Sequence, residues 1–274
     1  MNIASLFEQT HNLPNIPKVV QELITTFNSD DFDMDEIASK ISMDPVLTAK
    51  VLRLANSAHY GVSRTVASTS DASVLLGFST LRTLVLASGI TGAVTTPDGF
   101  DRKAFWTDNF GVAAVAKWMA PYCKINGETA FTCGMLHSIG ELLIQLLLPS
   151  ESKKIAAAVE AGGKRIEVEQ AMLGYNYTDV GAELASRWKF PEDIVQGIKE
   201  HDKPLESENP LAGLIHLAAY VYHSQKQGMG DKAILEGFPK EVAQSINMDT
   251  ETALVDLEKM DGIESGMESL LEDL

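Results

Sequence analysis

The chain has 274 residues, 45% of them hydrophobic, enough to bury a sizeable core without disulfides or a structural metal. Its formal net charge is -16. Such a surface repels phosphate backbones and carries no basic cluster for an anionic bilayer, which sets it against direct nucleic-acid or membrane binding.

Helix signals recur along the whole length and strand signals are rare. Asp33 with Glu36 reads as a capping box before EIASKI. Asp44–Pro45 is a strong helix start, because Asp caps exposed amides and Pro fits the first helical position. The helix it opens runs through VLTAKVLRLANSA, with Leu47, Val51 and Leu54 on one face and Gly61 as terminator. Ser70 is expected to open a short helix ending near Gly77, and Ser79 to cap the next, TLRTLVLASGI. The polar stretch VTTPDGFDRK, 94–103, marks a boundary between two subdomains. Beyond it, AFWTDNFGVAAVAKWMA should end at Pro121 and ETAFTCGMLHSIGELLIQLLL at Pro149. SKKIAAAVEA, RIEVEQAMLG, TDVGAELASRW (capped by Thr178), PEDIVQGIKEH and LAGLIHLAAYVYHSQ follow as further helices. The expected division is 1–95, 96–248 and an acidic tail at 249–274. That tail holds nine acidic residues against Lys259, and its apolar residues at 254, 257, 260, 263, 267 and 270 recur at helical spacing. It reads either as a solvated end or as an amphipathic docking segment.

Cys123 and Cys133 form neither a C-x-x-C pair nor a disulfide framework, as for reduced thiols of a cytoplasmic protein. MNIASLFEQTHNLPNIP lacks the pattern of a signal peptide. No apolar run is expected to reach the roughly 18 residues of a membrane span; the longest, 142–148, is far shorter. No G-x-x-x-x-G-K-S/T loop, G-x-S-x-G elbow or H-E-x-x-H pair is present. Trp106, Trp118 and Trp188 are most simply core or interface aromatics.

Three segments carry a family resemblance: LPNIP (13–17), MDPVLTAKVLRLANSAHYG (43–61) and STSDASVLLGFSTLRTLVLASG (68–89). In that order and approximate spacing the N-terminal half resembles the HD-related output domain family, over about residues 13–225. Seen from the residues alone these are mostly architectural. Pro14 and Pro17 stiffen entry into a helix, the Asn56 amide can satisfy orphan carbonyls at a helix C-terminus, and Gly77 permits a left-handed exit. The competing reading places Arg53, Asn56, His59 and Tyr60 at a contact surface.

The second half resembles the HD superfamily of metal-dependent phosphohydrolases. CGMLHSIGEL, 133–142, matches its G-x-L-H-D-I-G pattern, with His137 at the histidine and Ser138 at the aspartate. The resemblance implies further ligand positions at Asp108, Tyr177, His201–Asp202 and near Ala219. Of these positions, only His137 and His201 keep the family's identity, and Asp108 and Asp202 are usable substitutes. A dication in a mostly buried pocket needs compensating carboxylates, and two have gone. The bland reading of His137 is a hydrogen-bonded core histidine; His216 and His223, seven apart, read as a packed and an exposed residue on one helix face.

The expected fold is all-α, as two packed helical subdomains, the C-terminal one HD-domain-like. The expected function is a non-catalytic module of bacterial signal transduction without cofactor. It would be cytoplasmic and compatible with a homodimer. It would act through signalling proteins or a small nucleotide-like ligand in the degenerate cleft. The second reading is a divergent phosphohydrolase for a nucleotide or cyclic dinucleotide, with one divalent metal held by Asp108, His137, His201 and Asp202.

Overall fold

The computed structural model describes residues 3–8, 14–27, 33–57, 60, 65–97 and 99–256. Among them all regular structure is helical. They divide into two compact units, one built on Pro14–Val94 with Trp188–Phe190, the other on the remaining helices.

The smaller unit holds α2 (Lys18–Phe27), α3 (Met34–Ser42), α4 (Pro45–Ala55) and α5 (Thr69–Ala93). Two of these start where the sequence says they should. The Asp33 carboxylate accepts from Asp35 N, and Asp44 accepts from both Val46 N and Leu47 N ahead of Pro45. Each cap satisfies amides the helix itself cannot, a contribution of about 1 kcal/mol. At the far end of α4, Asn56 Nδ2 donates to Leu52 O and Val66 O while its Oδ1 accepts from Val66 N. α5 differs from expectation at its start. Ser68, not Ser70, caps it, accepting from Asp71 N. Gly77, with φ 72° and ψ 167°, then interrupts it before the helix resumes. Only glycine adopts that combination without strain. The core of this unit is Val20, Leu23, Ile37, Ile41, Val51, Leu81, Val85 and Ile90, all fully buried. The Trp188 indole, also buried, donates to Pro14 O within the same unit.

The larger unit begins with α1 (Ile3–Glu8) and continues from α6 (Arg102–Met119) through a 3-10 turn at Ala120–Cys123. There follow α7 (Gly127–Leu136), α8 (Ile139–Leu147), α9 (Pro149–Glu160), α10 (Arg165–Leu173), α11 (Tyr177–Arg187) and α12 (Glu192–Glu200). The long α13 (Pro210–Lys226) precedes the short α14 (Asp231–Gly237), α15 (Lys240–Ser245) and α16 (Thr250–Val255). α6, α7, α12 and α13 pack on one another as the centre of this unit, and α8 crosses α11. Trp106 and Phe110, which are fully buried, continue through Phe131 as a line of tilted rings joining α6 to α7. Two expectations change here. The single helix expected from 128 to 148 breaks at His137–Ser138, where Ser138 leaves helical geometry at φ -109°, ψ 9°. The cap of α11 is Asn176, accepting from Thr178 N and Asp179 N, rather than Thr178.

The expectation about apolar length also needs correction. Thr69–Ala93 and Gly127–Leu147 are each long and apolar enough, by composition, to cross a bilayer. Their most apolar windows are 61% and 78% buried inside the protein, and each is broken, at Gly77 and at His137–Ser138. These apolar faces are core surfaces. Both cysteines are free, Cys133 buried and Cys123 half-buried. Residues 257–274, His59 and Gly61, on which sequence expectations fall, lie outside the described residues.

Candidate functional site

The break between α7 and α8 puts a histidine where a helix would otherwise continue. His137 ends α7 and opens onto a cavity of about 530 Å³. Glu141 on α8, Tyr177 at the start of α11, and His201 and Asp202 just past α12 line other walls. One face of α13 completes it with His216, Ala219, Tyr220 and His223, at the i, i+3, i+4, i+7 spacing of a single helical stripe.

Close helix crossings fix this frame. A methyl on Gly134 would sit 2.7 Å from Ala113 Cα of α6, and one on Gly140 would sit 1.9 Å from Tyr177 O of α11. Both glycines of the GMLHSIG segment therefore mark backbone-to-backbone contacts on either side of His137.

Hydrogen bonds assign the imidazole tautomers. His137 Nδ1 lies 2.7 Å from Gly134 O, and His201 Nδ1 lies 2.7 Å from Ile198 O. A carbonyl only accepts, so both rings carry their proton on Nδ1 and present an Nε2 lone pair. His201 Nε2 receives the Tyr177 hydroxyl at 3.2 Å. The two rings stand edge to face at 5.4 Å, and His216 Nδ1 donates to His201 O at 2.9 Å. Burial, joined for His137 by the nearby His201, pushes their pKa values down to about 3 and about 4 respectively. Both rings should therefore be neutral from about pH 5 upward, unlike an ordinary histidine near 6.5. Long-range ¹⁵N correlation spectra at pH 5 should show two Nδ1-protonated neutral rings. Imidazolium shifts for either ring would contradict this assignment.

Beside the cavity runs a charged chain that sequence reading missed. Glu169 is fully buried; its Oε1 accepts from Arg165 Nη1 at 3.1 Å and its Oε2 from Tyr177 N at 2.7 Å. Arg165 Nε also reaches Glu141 Oε2 at 3.4 Å. Burial raises the carboxyl pKa values of both Glu141 and Glu169, against the pull of Arg165. No local spacing announces that Glu141 and Glu169 meet at Arg165; His216 and His223, by contrast, were placed on one face by their separation. His223 is exposed, as expected, and His216 is half-buried rather than fully packed; both also line the cavity.

The four residual metal candidates do not converge. His137, His201 and Asp202 line the cavity. Asp108 instead accepts from Lys226 Nζ at 2.5 Å and from the Tyr222 hydroxyl at 3.1 Å. Ser138 donates to the buried Asn109 Oδ1 at 2.9 Å, and Ala219 offers no donor atom. Among the described residues, no three His, Cys, Asp or Glu side chains form a group able to hold a metal ion. The hard cations of phosphoester chemistry need converging anionic oxygens. The residues present do not fit such a centre.

In the smaller unit, Asn56 is occupied by its own helix end and by Val66. Its amide has an architectural role there, on an exposed residue. Arg53 is exposed on α4 and borders an apolar hollow with Pro45, Val46, Ala49 and Lys50. Tyr60 is half-buried. Met43 and Val46 nearby are 73% and 64% exposed.

Comparison with known proteins agrees with this architecture. The HDOD domain model matches residues 13–204. The crystal structure of a "putative phosphohydrolase" from Shewanella amazonensis SB2B is 36% identical, with a TM-score of 0.81 and 98% of each chain covered. An HDOD domain protein of unknown function from Geobacter sulfurreducens shares the fold, at 24% identity and a TM-score of 0.77 over 96% of each chain. An uncharacterized protein of Treponema pallidum is 25% identical over 224 residues, 80% of this chain; the chain spans only 43% of that relative's length. The chain belongs to the HDOD family.

Proposed function

We propose that the chain is a non-catalytic signal-transduction module of the cytoplasm, one that keeps the HD scaffold and has given up phosphohydrolase chemistry. The observation that carries this reading is the fate of two ligand positions. Asp108 is bound to Lys226 and Tyr222, and Ser138 to Asn109. Both side chains serve packing between helices. The carboxylates that do line the cavity, Glu141 and Asp202, form no metal-holding group with the two imidazoles among the described residues, so nothing there gathers a dication to acidify a water. The output would then be carried by contacts with signalling proteins, including a second copy of the chain. Arg53 beside the exposed Met43 and Val46 is the surface best suited to them.

The 36% identical relative is named for phosphohydrolase activity, so the enzyme reading sets the test. Metal content of the purified protein and hydrolysis of bis-p-nitrophenyl phosphate with added manganese would be measured on the parent and on His137→Ala. Substoichiometric metal and equal background rates in both are expected. Stoichiometric metal with turnover lost in His137→Ala would overturn the proposal.

A further inference from the structure

We propose that the cleft between α8, α11 and α13 is a binding site for a small organic cation, an amine or guanidinium compound. The inference rests on the non-catalytic reading above and names the chemistry of the ligand. Three observations point to it.

The first is the balance of charge on the walls. Glu141 and Asp202 both line the cavity, and its lining contains no lysine or arginine. Asp202 makes no ion pair among the described residues. Glu141 shares one oxygen with Arg165, which stands outside this lining and also binds Glu169. Lys164, Arg165 and Lys203 line the adjoining hollow that Glu141 and Asp202 also border, and Lys164 and Lys203 act on the Asp202 charge. Each also pairs with a glutamate, Glu167, Glu169 and Glu206 respectively, and Lys226 pairs with Asp108.

The second is hydrogen-bond polarity. His137 is 7% exposed; its Nδ1 proton is committed to Gly134 O and its Nε2 has no partner among the described residues. A lone pair open to a cavity on a mostly buried ring favours a donor there. Ammonium and guanidinium groups are donors only, whereas a phosphate would meet acceptors and carboxylates.

The third is size and surface. About 530 Å³ is far more than a bare metal ion fills, and it is in the range of small-molecule pockets. Tyr177 and Tyr220 add rings against which a cation is favoured.

The test is titration of the full chain with agmatine and with putrescine at low ionic strength, followed by calorimetry and by the ring ¹⁵N signals of the cleft histidines. Saturable binding is expected. It should weaken roughly tenfold in Asp202→Asn and in Glu141→Gln, about 1.4 kcal/mol each, and fall with added salt. Asp202 is exposed, so its variant should fold as the parent does. Adenosine monophosphate should leave the histidine signals unmoved. The proposal is overturned if neither amine shifts those signals, if both variants bind as tightly as the parent, or if the nucleotide binds in their place. Failure of amine binding in a metal-free, inactive protein sinks this inference alone. Manganese-dependent hydrolysis sinks the non-catalytic reading whatever the amines do.

Discussion

Gly140→Ala should destabilise the chain by about 3–5 kcal/mol, beyond the usual range for one added methyl. The new Cβ would lie 1.9 Å from Tyr177 O and 2.7 Å from Gly181 N. Both are backbone atoms of α11, so no rotamer change relieves the overlap. The helices must separate, taking Glu141 on one side and Tyr177 on the other with them. Gly92→Ala is the matched control. It lies in α5 with nothing within 4 Å of the added carbon, so it should be neutral or stabilise by about 0.5–1 kcal/mol through helix propensity. Urea unfolding of both variants checks this. A Gly140→Ala protein within about 1 kcal/mol of the parent would mean that α8 and α11 do not cross as closely as described.

That crossing shows which parts of the structure were legible in the sequence. Asp33, Asp44 and Asn56 do at their helix ends what their chemistry implies, because caps are local. The break at His137–Ser138 was not legible. Apolar residues continue on both sides of it, and His137 itself keeps helical angles at φ -56°, ψ -33°. What interrupts the helix is packing, with Gly134 against α6 and Gly140 against α11, and neither partner is near in sequence. The site divides the same way. Motif position placed His137 and His201, and it put Tyr177 and Ala219 where the cavity wall runs. Asp108 had suitable chemistry for a ligand. Its partner Lys226 is 118 residues away, and no spacing rule reaches that far.

Arg165→Met should cost about 2–4 kcal/mol at pH 7.5, because it leaves a fully buried carboxylate without its cation. Glu169 would keep only the Tyr177 amide, and Glu141 would lose its one ion pair. The loss should depend on pH with a definite sign. Burial already raises Glu169 above its ordinary 4.5, and Arg165 opposes that rise; without Arg165 the folded pKa goes higher. A carboxyl raised in the fold binds its proton more tightly when folded than when unfolded. Its penalty is therefore full above the folded pKa and disappears as pH falls toward the unfolded value. The stability gap between variant and parent should narrow between pH 7.5 and pH 5. His137 and His201, lowered by burial, act the other way: each takes stability away as pH drops below about 6.5. They do so in both proteins, which is why the difference is the quantity to measure. Adding Glu169→Gln to Arg165→Met should recover most of the loss, since the neutral amide still accepts from Tyr177 N. A gap that stays constant with pH and survives the second substitution would show that Arg165 acts by packing alone, and that the buried carboxylate does not set the start of α11.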